Sequence, residues 1–152
     1  MQEFVKKTAV VTGAASGIGL KLALVFAEQG MNVVLADVEK DTLGNALLEV
    51  RAVGAKAIAV VTDVGDSDSV KALLDATLEN FGEVHVLCNN AGVYTGGMLW
   101  EQTEDDYEWL IRVNQWGIIH GIRHFVPQMI AQGTDCHVVN TSSMAGLCTL
   151  PV

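Results

Sequence analysis

The chain has 152 residues, half of them hydrophobic and 18% charged, so it carries enough apolar material for the core of one domain and too much for a disordered segment. Eighteen acidic against nine basic residues give a formal charge of -9, which repels a nucleic-acid backbone or an anionic bilayer and sets both aside as partners. The longest apolar run, residues 22–27, falls far short of the roughly 20 residues that span a bilayer, and the apolar residues after Lys7 meet Gly13, Ser16 and Gly17 too soon for a secretory leader.

In chain order, a short β-branched run, a Gly or Asp, and an amphipathic helix recur about every 25 residues. The runs are Thr8–Thr12, 32–36, Ala57–Val61, 84–88 and His137–Asn140, each too short and too apolar for a strand with one wet face, so they are predicted to be buried parallel strands. Between them, Ile18, Leu22, Val25 and Phe26 form one helical stripe. Leu43, Ala46, Leu47 and Val50 form a second, and Val70, Leu73, Leu74, Leu78 and Phe81 a third, capped by Asp66 or Ser67 and stopped at Gly82. Strict alternation of strand and helix predicts an α/β sheet covered on both faces.

The fourth connection is longer. Thr103 and Asp106 resemble a capping box, and the helix is predicted to run to about Gln132 with a kink at Pro127. Its second part, from Leu110 through Trp116, Ile118, Ile119, Ile122 and Phe125 to Met129, is apolar nearly all round and needs cover on two sides. One side is the sheet; the other is a further helix or a second subunit, with Gly117 and Gly121 allowing close approach on one face.

Thr12-Gly13-Ala14-Ala15-Ser16-Gly17-Ile18-Gly19 follows a strand and opens a helix, the context that makes a glycine-rich loop a phosphate or dinucleotide site. The competing reading is tight strand-to-helix packing alone. No Gly-Lys-Ser/Thr order is present, since Lys21 follows Leu20, which sets aside a nucleoside-triphosphatase. Asp37 closes the second strand, where a carboxylate accepts hydrogen bonds from an adenosine ribose and repels a 2′-phosphate. No basic residue follows it directly, and Ser16 stands where one would favour NADP, so NAD is the expected cofactor. Asp37 as a helix cap is the alternative.

Together with Asp63-Val64, Asn89-Asn90-Ala91-Gly92, Asn114 and Asn140-Thr141-Ser142-Ser143, these motifs stand in the order and spacing of the short-chain dehydrogenase/reductases, which the chain resembles from Thr8 to about Gly146. The resemblance implies a Rossmann-type doubly wound parallel sheet with about five strands present, in a single NAD-binding domain over residues 1–152. NAD would lie on Gly13, Ala15, Ser16, Gly17, Ile18, Gly19 and Asp37. Asp63 and Val64 would border the adenine, and Asn90, Ala91 and Gly92 would pass beneath the cofactor while tying the fourth strand to the Thr12 turn.

The resemblance further implies catalysis by four groups. Ser143 matches the serine that hydrogen-bonds the substrate oxygen, and Asn114 the helix residue that holds a water in the proton relay. The acid/base Tyr, with a Lys four positions on, would follow Ser143 by about 13 residues, beyond Val152; Tyr94 is followed at that spacing by Met98 and Tyr107 by Ile111. The chain therefore reads as truncated before the Tyr-x-x-x-Lys segment, with the last strands of the family fold absent. The implied function is hydride transfer between NAD(H) and an alcohol or ketone. Residues 94–100 and 144–151 would line the substrate side, and a homodimer or homotetramer would form through the helix around 107–132. Two alternatives stand beside it: a non-catalytic NAD-binding protein, or an assembly module that uses the fold alone.

Other features carry less. His120 and His124 are four apart on the long helix but lack a third metal ligand, and no metal site is expected. Trp100, Trp109 and Trp116 read as core or interface residues. Cys88, Cys136 and Cys148, odd in number and in apolar surroundings, are expected to be buried, reduced thiols of a cytoplasmic protein.

Overall fold

The computed structural model describes residues 4–148. Strands β1 (Thr8–Thr12), β2 (Asn32–Asp37), β3 (Ala57–Val61), β4 (Val86–Asn89) and β5 (His137–Asn140) form one parallel sheet in the order β3-β2-β1-β4-β5. Helices α1 (Gly17–Glu28), α2 (Lys40–Ala52) and α3 (Ser67–Phe81) connect the first four strands. Helices α4 (Glu104–Ile111) and α5 (Gly117–Gln132), joined by a π-helical turn at Arg112–Trp116, lead to β5.

Period-two alternation assigns each strand residue to one of two cores. Ala9, Val11, Val33 and Leu35 pack with Ala23 and Ala27 of α1 and Leu43, Ala46 and Val50 of α2. Val10, Val34, Ala36 and Leu87 pack with Val70, Leu73 and Leu74 of α3 and with Phe125 and Met129 of α5. A sheet buried on both faces cannot show polar alternation, which is why its strands read as continuous apolar runs. The sheet is the Rossmann-type, doubly wound arrangement, and its order reverses between β1 and β4.

Three local expectations are corrected. β4 begins at Val86 rather than at residue 84: His85 still exchanges main-chain bonds with Thr8 and His137 (2.9 and 2.8 Å), but side chains take the other ladder positions. The Val84 N–H donates to Gln132 Oε1 (3.3 Å), its carbonyl accepts from Gln132 Nε2 (2.7 Å), and Thr8 N–H donates to His85 Nδ1 (3.1 Å). Along α1, Gly19, Ala23 and Ala27 face the sheet while Ile18 and Val25 are exposed; small residues let the helix lie close and turn the larger ones outward. The long helix starts at the Thr103–Asp106 capping box but does not run as one regular α-helix to Gln132: a π-helical turn at Arg112–Trp116 divides it, and α5 then runs through Pro127 to Gln132.

The exposed apolar residues of the long helix include Trp109, Trp116 and Ile122. Gly117 and Gly121 face inward: a Cβ on Gly117 would meet Val64 Cγ2 at 2.8 Å, and one on Gly121 would meet Asn89 Oδ1 at 2.2 Å. That pair serves contact with the domain's own core. β5 is an edge strand, and its surface beside α1 is a shallow apolar depression formed by Phe4, Phe26, Val86, His137 and Val139. Of the cysteines only Cys88 is buried; Cys136 is half-buried and Cys148 exposed. Among the described residues, no helix is long and apolar enough to cross a membrane.

Candidate functional site

Where strand order reverses, the loops leaving β1 and β4 run in opposite directions and open a crevice at the carboxyl ends of the strands. A cleft of about 430 Å³ lies there, walled by Gly13, Asp37, Asp63, Val64, Ala91 and Gly92 and, from the helical side, by Trp109, Arg112 and Val113.

Thr12, at the end of β1, holds the two loops together. Its buried hydroxyl donates to the Cys88 carbonyl (3.3 Å) and accepts from the N–H groups of Asn90 and Ala91 (3.0 Å each). Asn90 completes the junction: its Nδ2 donates to the Thr12 carbonyl (3.0 Å), and its Oδ1 accepts from the Thr141 hydroxyl (3.3 Å). One strand further, Asn89 Nδ2 donates to Asn140 Oδ1 (2.8 Å). The carboxyl ends of β1, β4 and β5 are thus joined by side chains as well as by the ladder, which pairs Asn89 with Asn140.

The glycine loop divides its labour. A Cβ on Gly19 would lie 2.0 Å from the Gly13 carbonyl oxygen, and one on Gly13 would lie 2.8 Å from Ala91 Cα, so these two serve close packing. Gly17 differs: its φ is +55°, and a Cβ there would meet nothing within 4 Å, so open space stands before the helix start. Ser16 occupies the N-cap position in extended conformation without a side-chain cap bond, and the first turn of α1, with Ile18 exposed, holds no acidic residue. By contrast, Asp66 and Thr103 cap α3 and α4 with their side chains. An uncapped N-terminus facing open space fits an anionic group such as a diphosphate.

Asp37 stands beside that opening, half-buried. Its Oδ2 accepts from Ala15 N–H (3.0 Å) and its Oδ1 from Glu39 N–H (3.1 Å). The N-cap position of α2 is Glu39, so Asp37 is not the helix cap; its carboxylate is oriented by the loop and keeps lone pairs for further donors.

Across the cleft, Asp63 Oδ1 accepts from Gly65 N–H (2.8 Å) while Oδ2 pairs with Arg112 Nη2. Val64 is buried beneath Gly117. Arg112 escapes a sequence reading because its partner is 49 positions away; its only local signal is a cation near the middle of an acidic-to-apolar helix. Gly92 lies against Asn114, whose amide is anchored at both atoms: Oδ1 accepts from Val93 N–H (2.8 Å) and Nδ2 donates to the Val93 carbonyl (2.9 Å), leaving one N–H and one lone pair for a further partner.

Ser143 is exposed at the N-cap of a short 3-10 turn at Met144–Gly146, its Oγ accepting from Ala145 N–H (3.1 Å) and its own proton free to donate. Tyr94, Leu99, Trp100, Met144 and Leu147 stand exposed on the two loops expected to face a substrate; residues 149–151 of that stretch lie outside the described residues. The helical histidines are used structurally. His120 Nδ1 bonds the Val64 carbonyl (3.0 Å), His124 Nε2 bonds Ser67 Oγ (2.9 Å), and Trp116 stacks on His120 with centroids 5.6 Å apart.

A family model described as short chain dehydrogenase matches residues 7–152. Among characterised relatives, the chain is 41% identical over 141 residues to 1-deoxy-11-beta-hydroxypentalenate dehydrogenase of Streptomyces exfoliatus, covering 91% of this chain and 51% of that protein. It is 37% identical over 147 residues to the C alpha-dehydrogenase of a Sphingobium strain, covering 96% of this chain and 48% of that one. Among solved structures, a short chain dehydrogenase/reductase from Burkholderia phymatum in complex with NAD superposes with a TM-score of 0.97 at 49% identity, over 99% of this chain and 54% of that chain. An NAD+-bound xylitol dehydrogenase gives 0.91 at 35% identity, over 99% and 58%. The chain spans about half the length of the relatives it matches.

Proposed function

The chain belongs to the short-chain dehydrogenase family, and from that premise we propose that it forms the NAD-binding part of an oxidoreductase moving hydride between NAD(H) and a hydroxyl or ketone substrate. The observation that carries the reading is the uncapped N-terminus of α1, open in front of Gly17 and flanked by the loop-oriented carboxylate of Asp37. Ala15, Ser16 and Ile18 would hold the diphosphate between Gly13 and Gly19, Asp37 the adenosine ribose, and Asp63 with Val64 the adenine. Asn90, Ala91 and Gly92 form the floor. NAD, when bound, supplies the hydride acceptor or donor.

This chain's own residues bind and orient. Ser143 has a proton to give to a substrate oxygen. Asn114 fixes the loop beyond β4 by bonding Val93 through both amide atoms, and it would hold a water of the proton relay. Neither Tyr94 nor Tyr107 has a Lys four positions on, so neither matches the family's acid/base pair, which the resemblance puts beyond residue 152; a non-catalytic NAD-binding protein is the second reading. Trp109, Trp116 and Ile122 give the long helix an exposed apolar face suited to a second copy of the chain. The free thiols of Cys88, Cys136 and Cys148 fit a reducing, cytoplasmic setting.

Side-by-side calorimetry with NAD and NADP tests the cofactor reading. Asp37 faces the 2′-phosphate without a compensating base on its own loop, and like-charge repulsion in a partly desolvated site favours NAD by about 1 to 3 kcal/mol. Asp37→Ala narrows the gap; equal or inverted affinities in the unaltered protein reject the reading. Alcohol-dependent reduction of NAD by residues 1–152, verified by mass, would reject the assignment of these residues as binding without proton exchange.

A further inference from the structure

Resting on that dinucleotide reading, we propose that Arg112 is a cofactor-positioning residue at the adenine end of the cleft, where it fixes the Asp63 carboxylate and offsets the negative charge met by an anionic dinucleotide. The cleft wall carries Asp37, Glu39 and Asp63 as acids and Arg112 as its basic residue. Three carboxylates lining the cleft oppose an anionic dinucleotide, and a guanidinium among them offsets part of that field.

Local structure brings Arg112 there. The π-helical turn starts at this residue, and its polar side chains reach different loops: Arg112 meets Asp63 beyond β3, and Asn114 meets Val93 beyond β4. A Cβ on Gly65 would lie 2.4 Å from Arg112 Cγ and 2.6 Å from Nε. The arginine stem therefore crosses the β3–α3 loop against bare backbone, a path that any side chain at position 65 would obstruct. Asp63 is held at its other oxygen by Gly65 N–H, and its own N–H donates to Ser69 Oγ (3.1 Å). The carboxylate is thereby held in one rotamer with lone pairs left over, a fixed acceptor for the exocyclic amino group of an adenine.

Both partners are solvent-accessible, with side chains 55% and 39% exposed. An ion pair so exposed contributes little to folding, so a loss of affinity on breaking it is separable from a loss of structure. In the full chain, Arg112→Gln, Arg112→Lys and Asp63→Asn are titrated calorimetrically with NAD and ADP-ribose, with thermal unfolding in parallel. Arg112→Gln is expected to weaken both ligands by the same factor, about tenfold, with the unfolding temperature unchanged. Arg112→Lys recovers part of the loss, restoring charge without the fork. In an Asp63→Asn background, Arg112→Gln costs less than it does alone. Unchanged affinity in Arg112→Gln overturns the role of Arg112, as does a lowered unfolding temperature or the lack of any rescue by Lys. A parent chain that binds neither NAD nor ADP-ribose overturns the dinucleotide reading itself, and this proposal with it.

Discussion

Replacing Thr12 with Val removes a single oxygen and preserves the shape of a buried side chain. That oxygen accepts from two successive N–H groups, Asn90 and Ala91, at 3.0 Å each, and donates to the Cys88 carbonyl at 3.3 Å. Valine leaves both donors without their acceptor beside a residue only 4% exposed. An orphaned buried donor costs about 1–3 kcal/mol. With Asn90 and Ala91 themselves only partly buried and the Cys88 bond long, the expected loss is about 2–4 kcal/mol in total. Thr12→Ser keeps the oxygen and loses one methyl, about 0.8 kcal/mol. The predicted stability order is therefore Thr, then Ser, then Val, although Val is the stronger strand former and the more hydrophobic of the two replacements. Urea unfolding followed by circular dichroism measures it. A Val variant as stable as the Ser variant would refute the view that this hydroxyl holds β1 and β4 together at the cleft. Calorimetry on the same proteins should show the Val variant losing NAD affinity too, because the floor at Asn90 to Gly92 hangs from the same oxygen.

Three further outcomes are expected. Gly19→Ala should destabilise by about 1–3 kcal/mol despite the better helix propensity of Ala, because its Cβ would sit 2.0 Å from the Gly13 carbonyl oxygen and 2.7 Å from Asn90 Nδ2; wild-type stability in urea would contradict it. His85 has its pKa lowered from 6.5, first by burial and then by Lys7, against the opposing pull of Glu83. Its Nδ1 must stay unprotonated to accept from Thr8 N–H, so stability should fall as pH drops from about 6.5 through the lower folded value and flatten below it. His85→Asn, which keeps an acceptor and cannot titrate, should remove that part of the slope; an identical pH profile for both proteins would count against it. Trp116→Glu combined with Ile122→Glu should give smaller species in sedimentation of the full chain, since two large side chains buried between copies contribute roughly 1.5–3 kcal/mol each, whereas an unchanged assembly size with the fold intact would mean that this face is not the interface.

Much of the architecture follows from patterns local enough to be read off the chain. Short β-branched runs too apolar for a wet face, alternating with amphipathic stretches, leave a parallel sheet covered on both sides as the stable arrangement, and four of the five strand starts coincide with the runs. The glycine loop and Asp37 are legible because each stands at a strand exit, where spacing along the chain corresponds to position along one edge of the sheet; Asp63 and Asn90 read locally as plain turns, and only the family resemblance singles them out. Packing depth was less legible. Ile18 and Val25 look like core residues by periodicity yet lie outside, since Gly19, Ala23 and Ala27 bring α1 closer than any large side chain would permit. Gly117 and Gly121 have a spacing compatible with either face of the long helix, and only the positions of Val64 and Asn89 turn them inward.

The amino-acid order by itself determined the fold class and the place of the glycine loop and Asp37 at the sheet's carboxyl edge, because hydrophobic period and turn chemistry act within a few residues. Tertiary structure alone decided the partners of those residues: Thr12 with Asn90 and Ala91, Arg112 with Asp63 across Gly65, Asn114 with Val93, His85 with Thr8. Such bonds span 21 to 79 positions, and a hydrogen bond acts over about 3 Å, so nothing in the local pattern specifies which distant donor will meet which acceptor until the packed sheet and helices have fixed their separation.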